Sequence, residues 1–296
     1  MPLAVPTFSP NLVRDIGDMV AYDFMRNAFL AGGSIALAAG LVGYFVVLRN
    51  QVFTTDALGH VAFTGGLGGL VAGFALVPAV FVSTVLGALA IGSLGGRGRG
   101  RDVAIGTVFA WVLGLGVLFL SIYTTSRSAA SGIVGVNVLF GSILSLQPQQ
   151  ATTAVAVGLT TSAALLLISR PLLFASVDPD VATARALPVR LVTLAFLVLL
   201  GLTVAEAVQA VGALLIFGLM VTPAAIAHNT TANPYHGIGL AALLAVLFAW
   251  VGVGLAFYLP YPASFLVIAV SFSTFVATSM VQQAWRRRRR PPAHRH

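Results

Sequence analysis

Long apolar runs, separated by short polar or charged segments, occupy most of the chain from residue 24 to residue 284. Most runs are near the length of about 20 residues that a transmembrane helix requires, and they contain Gly, Ala and Ser throughout, as tightly packed membrane helices do. The predicted spans are about 24–48, 56–74, 78–94, 103–122, 150–169, 189–209, 211–227, 237–257 and 264–284. The pattern therefore predicts an all-α integral membrane protein with about nine transmembrane helices.

The segments outside these runs complete the predicted organisation. Residues 1–22 form an N-terminal arm, residues 23–285 the transmembrane domain and residues 286–296 a basic tail. Residues 95–102 read as a flexible basic loop, and residues 134–144 as a short re-entrant or surface helix within the loop 123–147. The pair of spans around Gln209 is joined so tightly that it could also be one broken hairpin.

Charge is scarce and unevenly placed. Only 8% of residues are charged, against about 25% in a typical soluble domain, and the net charge is +8. Five of the 16 basic residues form the block 286–290 after the last apolar run. Such a block is typical of a cytoplasmic stop against anionic lipid rather than of nucleic-acid binding. The chain has no Cys, which excludes disulfides and thiolate metal sites.

The distribution of Arg predicts the orientation. With nine spans the termini lie on opposite sides, and 13 of the 16 Arg fall on the side of the C-terminus, at 49, 97, 99, 101, 170, 185, 190, 286–290 and 295. Basic residues favour the cytoplasmic side of a membrane. We therefore expect a multi-pass protein of a bacterial cytoplasmic membrane with its C-terminus in the cytoplasm.

Asp56 and His60 stand at the edge of the second apolar run, four residues apart. On a helix this spacing places them one turn apart on one face. Ionisable groups inside a membrane usually mark an ion or proton path, and an oxygen and a nitrogen ligand suit zinc, manganese or iron. The alternative interpretation is a helix N-cap at Thr55 or Asp56 and a hydrogen-bonded core histidine.

A second polar segment, residues 176–187, separates the fifth and sixth spans on the predicted cytoplasmic side. Ser176, or Asp178 ahead of Pro179, is a suitable helix start, and Pro188 marks a stop. This pattern predicts a short helix of about two turns. It could be a plain connection or a docking helix for a cytosolic partner.

Six sequence stretches, in order along the chain, carry a family resemblance. They are residues 43–49, 56–60, 102–107, 139–144, 176–180 with 186–190, and 209–215 with 222–225. On these stretches the chain resembles the permease subunit of ABC-type zinc/manganese/iron importers. The resemblance implies the fold of vitamin B12 and metal-chelate permeases and a homodimer with a central pathway. It also implies two cytosolic ATPase subunits and an extracytoplasmic metal-binding protein.

The resemblance also implies residue roles. Asp56 and His60 would receive the transported ion, and His60 would have to be neutral to bind it. The segment 176–187 would be the coupling helix on the ATPase, with Ser176, Asp178, Pro179, Asp180 and Ala184 as its candidate contacts. The chain itself would perform no bond chemistry and hold no permanent cofactor. Zinc and manganese are the expected cargoes, with iron as a third candidate.

The chain departs from the family pattern in three places. Residues 136–138 lack the acidic or His residue often found just before the stretch 139–144. Gly59 stands where Ser or Ala is commoner, and we expect it to loosen the helix between the two candidate ligands. Glu206 lies in the sixth span, where the family has an apolar or small residue. It is a candidate third metal ligand or, alternatively, an interfacial residue at the outer mouth. Gln209 beside it is suited to a hydrogen bond between helices.

Other assignments are less favoured by the sequence. An ion-coupled secondary transporter would need no ATPase, but such proteins often contain inverted repeats, and we find none. A membrane enzyme would need more clustered acid–base residues than 8 acidic residues and 5 His provide. His228 and His236 bracket the polar stretch 228–236 and are predicted to be solvated loop residues.

Overall fold

The computed structural model describes residues 17, 19–93, 99–126, 141, 143–213 and 216–288, and this part of the chain contains helices and turns but no strand. The helices are α1 (Asp23–Leu48), α2 (Val52–Val71), α3 (Leu76–Ser93), α4 (Arg99–Ser126), α5 (Pro148–Val177), α6 (Pro179–Ala184), α7 (Val189–Val211), α8 (Ile216–Thr230), α9 (Pro234–Tyr258) and α10 (Ala263–Arg288), with a 3₁₀ turn at Ile143–Ser145. All except α6 correspond to predicted spans, which confirms an all-α membrane protein.

Seven of these helices are long and apolar enough to cross a bilayer, within the described ranges. The two exceptions among the predicted spans are α2 and α8. Helix α2 contains Asp56 and His60, which lower its hydropathy, and α8 has only 15 residues. Both pack against other helices of the bundle. Their polar or short segments are therefore covered by protein rather than by lipid.

Helix α1 forms the centre of the bundle. It packs against α5, α7, α8 and α9, and 83% of its most apolar 18-residue stretch is buried inside the protein. A Cβ on Gly40 would lie 2.6 Å from the carbonyl oxygen of Ala241, so α1 and α9 are in backbone contact there. Helix α4 is peripheral by contrast, since only 11% of its most apolar stretch is buried inside the protein. Its exposed Trp111 and Val117 present an apolar surface suited to lipid.

Helix starts and ends follow local sequence signals. Pro148, Pro179 and Pro234 each occupy the first turn of a helix, where a missing N–H costs little. The side chain of Asn233 accepts hydrogen bonds from the first turn of α9. Gly212, with φ +95°, ends α7 in a backbone conformation that favours glycine.

Two predicted helix bounds are wrong near the candidate sites. Helix α2 begins at Val52, with Gln51 as its preceding residue, so an N-cap at Thr55 or Asp56 is excluded. Helix α5 does not end near residue 169, as predicted, but continues through Pro171 to Val177. Proline removes one backbone hydrogen bond, yet the buried Leu172 that follows keeps the last turns packed on the core.

Several predicted boundaries between helices and connecting segments differ from those in the structure. Helix α4 begins at Arg99, so residues 99–102 of the predicted basic loop are helical, whereas residues 95–98 lie outside the described part of the chain. Helix α8 begins at Ile216 rather than at 211. Residues 134–140 and 142 of the predicted surface helix 134–144 lie outside the described part of the chain, and residues 143–144 belong to the 3₁₀ turn. The basic tail also lies largely outside it, although α10 continues to Arg288.

The prediction that His228 is a solvated loop residue is wrong. Helix α8 extends to Thr230 and α9 begins at Pro234, so His228 is helical. Its ring stacks on Tyr44 of α1, with the ring centroids 4.1 Å apart, and its Nε2 lies 3.0 Å from the Tyr44 carbonyl oxygen. His228 therefore joins α8 to α1. His236, in the first turn of α9, is exposed as expected.

Candidate functional site

Asp56 and His60 lie on consecutive turns of one face of α2, as their spacing predicts. The helix is reached from α1 through a tight turn at residues 49–51, in which Asn50 has φ +52°. Asp56 is therefore only about one helical turn from the end of the bundle at which α1 ends. A single continuous helix positions both side chains, so their relative geometry follows from helix pitch alone.

The two side chains adjoin a cavity and an aromatic ring. Asp56 lines an open cavity of about 600 Å³ together with Asn50, Val52, Phe53 and Phe217. The half-buried ring of His60 meets Phe109 of α4 edge-on, with the ring centroids 4.9 Å apart. Its Nδ1 atom is buried and has no hydrogen-bond partner in the described structure. A carboxylate and an unsatisfied imidazole nitrogen thus lie one turn apart on α2.

Gly59 lies on the same face of α2 and is closely packed. A Cβ at this position would lie 3.0 Å from the carbonyl oxygen of Ala213 and 3.3 Å from Cγ2 of Ile216. The absence of a side chain therefore allows the connection between α7 and α8 to approach the Asp56–His60 face. We expected Gly59 to loosen α2, but the helix is continuous and the glycine instead permits this contact.

Glu206 lies in a different cavity. Its side chain is only 6% exposed, and it lines a cavity of about 140 Å³ between residues of α1, α3, α5 and α7. Neither Asp56 nor His60 lines this cavity. In the ranges that the structure covers, no group of three or more His, Asp or Glu side chains could hold one ion. Within the described residues the structure therefore does not bring Glu206 to Asp56 and His60 as a third ligand, and its side chain is buried in a cavity near the first turns of α5.

The predicted short helix on residues 176–187 is present but shorter, as the six-residue α6. Asp178 precedes it, and its carboxylate accepts a hydrogen bond of 3.0 Å from the Val181 N–H, while Pro179 occupies the first position. Ser176 does not start this helix, because it belongs to the last turn of α5. Its hydroxyl donates to a backbone carbonyl of α5.

The surface of α6 has a buried anchor and an exposed face. Ala182 is fully buried, whereas Asp178, Asp180, Val181 and Ala184 are exposed. A cavity of about 720 Å³ lies beside this face and is lined by residues of α3, α6 and the start of α7. A short, N-capped helix with an exposed mixed acidic and apolar face next to a cavity is suited to contact with another protein.

Arg49 connects the two candidate sites, a role that we did not predict. Its guanidinium donates to the hydroxyl of Ser176 on α5 over 3.2 Å and to that of Thr193 on α7 over 3.1 Å. The same group lies over the ring of Phe196, 5.4 Å from the centroid. Arg49 thus joins the turn before α2 to both helices that flank α6. The sequence signal was an Arg that closes the first apolar run, which we interpreted only as a marker of orientation.

Comparisons with known proteins give a consistent picture. The sequence profile of the family described as "ABC 3 transport family" matches residues 21–282. The chain is 27% identical over 244 residues to "Manganese transport system membrane protein MntC" of Halalkalibacterium halodurans, covering 82% of each chain. It is 27% identical over 267 residues to "Manganese import system permease protein ScaB" of Streptococcus parasanguinis, covering 90% of this chain and 93% of that protein.

A solved structure shares the fold. The structure of PsaBC from Streptococcus pneumoniae in complex with Fab superposes with a TM-score of 0.79 at 24% identity, over 90% of this chain and 95% of that chain. At this identity the likeness shows the fold alone. It agrees with the predicted similarity to ABC importer permeases.

Proposed function

The chain belongs to the ABC 3 transport family, and we propose that it is the permease subunit of an ATP-driven importer of a divalent transition-metal ion, with Mn²⁺ as its cargo. We assign manganese because proteins that are similar to this chain over most of its length are named as manganese transport or import proteins. The Asp–His ligand pair also suits zinc and iron, which remain the alternative cargoes. ATP hydrolysis belongs to a separate ATPase subunit, so this chain is not an enzyme.

The observation that carries the proposal is the pairing of Asp56 with the unsatisfied Nδ1 of His60 on one face of α2. An ion that crosses the membrane must give up water, and the negative charge of Asp56 offsets part of that cost. His60 supplies a nitrogen ligand when its ring is neutral. Two protein ligands do not close a coordination sphere. Water, the nearby Ala213 carbonyl or a second copy of the chain can supply the remaining positions.

Helix α6 is proposed to transmit the ATPase cycle. Its exposed residues, Asp178, Asp180 and Ala184, form the face that a cytosolic ATPase would contact. Pro179 fixes the first turn and Asp178 caps it, so this small helix can act as one rigid contact. Ser176 contributes indirectly through its hydrogen bond with Arg49.

The proposed assembly contains two copies of this permease, a pair of ATPase subunits and an extracytoplasmic metal-binding protein. It lies in a bacterial cytoplasmic membrane, in contact with lipid, with the C-terminus in the cytoplasm. The Arg distribution supports this orientation, since Arg49, Arg185 and Arg190 lie at the end of the bundle that carries α6.

The test is uptake of radiolabelled Mn²⁺ by cells that lack their own Mn²⁺ importers and express this chain with its ATPase and binding protein. We expect uptake that disappears when the ATPase carries an inactivating substitution in its ATP site. Excess unlabelled Mn²⁺ should compete more strongly than Zn²⁺ or Fe²⁺.

Two results would contradict the proposal in different ways. Uptake that persists with the inactive ATPase but collapses when a protonophore removes the ion gradient would identify an ion-coupled secondary transporter. Uptake that Zn²⁺ suppresses at much lower concentration than Mn²⁺ would leave the transporter class intact and change its cargo to zinc.

A further inference from the structure

The Glu206 cavity contains a buried carboxylate whose charge is not matched by its surroundings. Glu206 is 6% exposed, and its Oε2 atom has no hydrogen-bond partner in the described structure. The nine described residues that line the cavity include no basic side chain, and Glu206 is the only charged residue among them. A carboxylate removed from water in this way is costly unless a positive charge accompanies it.

The other polar residues around this carboxylate each carry a side-chain oxygen, on an amide or a hydroxyl group. Gln149, Gln150, Thr153 and Gln209 line the cavity together with Glu206. Gln209 follows Glu206 by three residues on α7, so both lie on one face. Its amide nitrogen donates to the Ala205 carbonyl over 3.3 Å, which leaves the amide oxygen available to a ligand. The side-chain oxygen of Gln150 is already used, because it accepts from the Gln147 N–H.

The cavity also has room for a ligand. Its volume of about 140 Å³ is well above the roughly 10–15 Å³ that one water molecule needs. Carboxylate, amide and hydroxyl oxygens without nitrogen or sulfur are the ligands of hard cations, which keep part of their water when they bind. This donor set differs from the Asp56–His60 pair, which includes an imidazole.

We propose that the cavity around Glu206 is a second cation site, which takes a hard, oxygen-coordinated divalent ion such as Mn²⁺. Glu206 is its charged ligand and Gln209 and Thr153 supply neutral oxygens. Gln149 and Thr153 belong to the first turns of α5, so the site lies at the end of this helix opposite to α6. This inference goes beyond the proposed function and does not depend on the assignment of Asp56 and His60.

The test measures Mn²⁺ binding rather than transport. The full chain, assembled with its ATPase and free of nucleotide, is titrated with MnCl₂ while the EPR signal of free Mn²⁺ is followed. A parent that carries Asp56→Ala and His60→Ala removes the first candidate site. We expect this parent to retain one Mn²⁺ site per permease chain.

Further variants of this parent identify the ligands. Glu206→Gln keeps the size of the side chain and removes its charge, and we expect Mn²⁺ affinity to fall by about 10- to 100-fold. Gln209→Leu should weaken binding by a smaller factor. Thr203→Val is the matched control, because Thr203 is a buried polar residue of the same helix that does not line the cavity. It should leave Mn²⁺ affinity unchanged.

Two outcomes would overturn the proposal. One is a parent that binds no Mn²⁺ at pH 8, which would mean that Glu206 takes up only a proton. The other is unchanged Mn²⁺ affinity in a Glu206→Gln variant that elutes as an intact complex with parental helix content. Failure of the proposed function would be seen separately, as Mn²⁺ uptake that does not require the ATPase.

Discussion

Arg49 donates a hydrogen bond of 3.2 Å to the hydroxyl of Ser176, across 127 positions of sequence. This contact joins the turn before α2 to the last turn of α5, which directly precedes α6. Helix α2 is the helix that carries Asp56 and His60. With the second bond to Thr193 it forms a link between the candidate ion site and the candidate docking helix. Any displacement of α6 that moves α5 or α7 therefore acts on the start of α2.

The first prediction concerns this link. Arg49→Ala removes two hydrogen bonds from a charged donor, and such bonds are worth about 1.5–3 kcal/mol, so thermal unfolding in detergent should occur at lower temperature. Arg49→Lys keeps the charge but lacks the planar fork that reaches both hydroxyls. We expect Arg49→Lys to fold and bind the ATPase, yet to hydrolyse ATP with reduced Mn²⁺ uptake. Equal loss of uptake and ATPase activity would indicate a purely structural role.

The second prediction concerns the ion site. Asp56→Ala removes the charge that offsets ion dehydration, and uptake of radiolabelled Mn²⁺ should fall by about tenfold or more, which corresponds to at least about 1.4 kcal/mol. His60→Ala should reduce uptake similarly or shift preference toward ions that bind oxygen. Asp23→Ala and His236→Ala are the controls, because both residues are exposed and away from the cavity. Normal uptake by both site variants would remove Asp56 and His60 from the pathway.

The third prediction concerns α6 as the docking helix. Ala184→Trp places a large side chain on its exposed face and should uncouple ATP hydrolysis from uptake, while the membrane bundle stays folded. Asp178→Ala should weaken the helix by about 1 kcal/mol, the value of an N-cap. Ala284→Trp, at another exposed site on α10, serves as the control. If Ala184→Trp leaves ATPase co-purification and uptake unchanged, α6 is only a connection.

The fourth prediction concerns the contact between α1 and α9. Gly40→Ala places its Cβ 2.6 Å from the Ala241 carbonyl oxygen and 2.7 Å from the Ala242 Cα, both on the backbone of α9. We expect a loss of about 1–3 kcal/mol, as for other overpacked cores. Gly239→Ala, on the same helix pair but with no atom within 4 Å of the added Cβ, should be neutral or slightly stabilising. Thermal unfolding of the two purified variants checks the contrast.

The fifth prediction concerns orientation. A reporter fused after Arg290 should be active only in the cytoplasm, and one inserted into the loop 123–147 only outside, because basic residues remain on the cytoplasmic side. Opposite labelling would place α6 on the outer side and separate it from any cytosolic ATPase.

The sequence alone determined the class of the protein and the order of its helices. Long apolar runs that end at Arg, Pro or polar clusters predict membrane helices because these signals are local and act within a few residues of each boundary. The same locality explains why Asp56 and His60 could be placed on one face, and why Asp178 with Pro179 could be identified as a helix start. These features need no knowledge of what packs against them.

Only the tertiary structure decided which of these residues meet. Glu206 and Asp56 are both intramembrane acids, yet they line separate cavities, and the sequence carries no signal of that separation. His228 was expected in solvent but stacks on Tyr44, 184 positions earlier. Such contacts depend on how all the helices pack around α1, where small residues such as Gly40 set the distance between neighbours. Hydropathy depends on residues that are neighbours in sequence. A site combines residues that are distant in sequence and become close only when the helices pack.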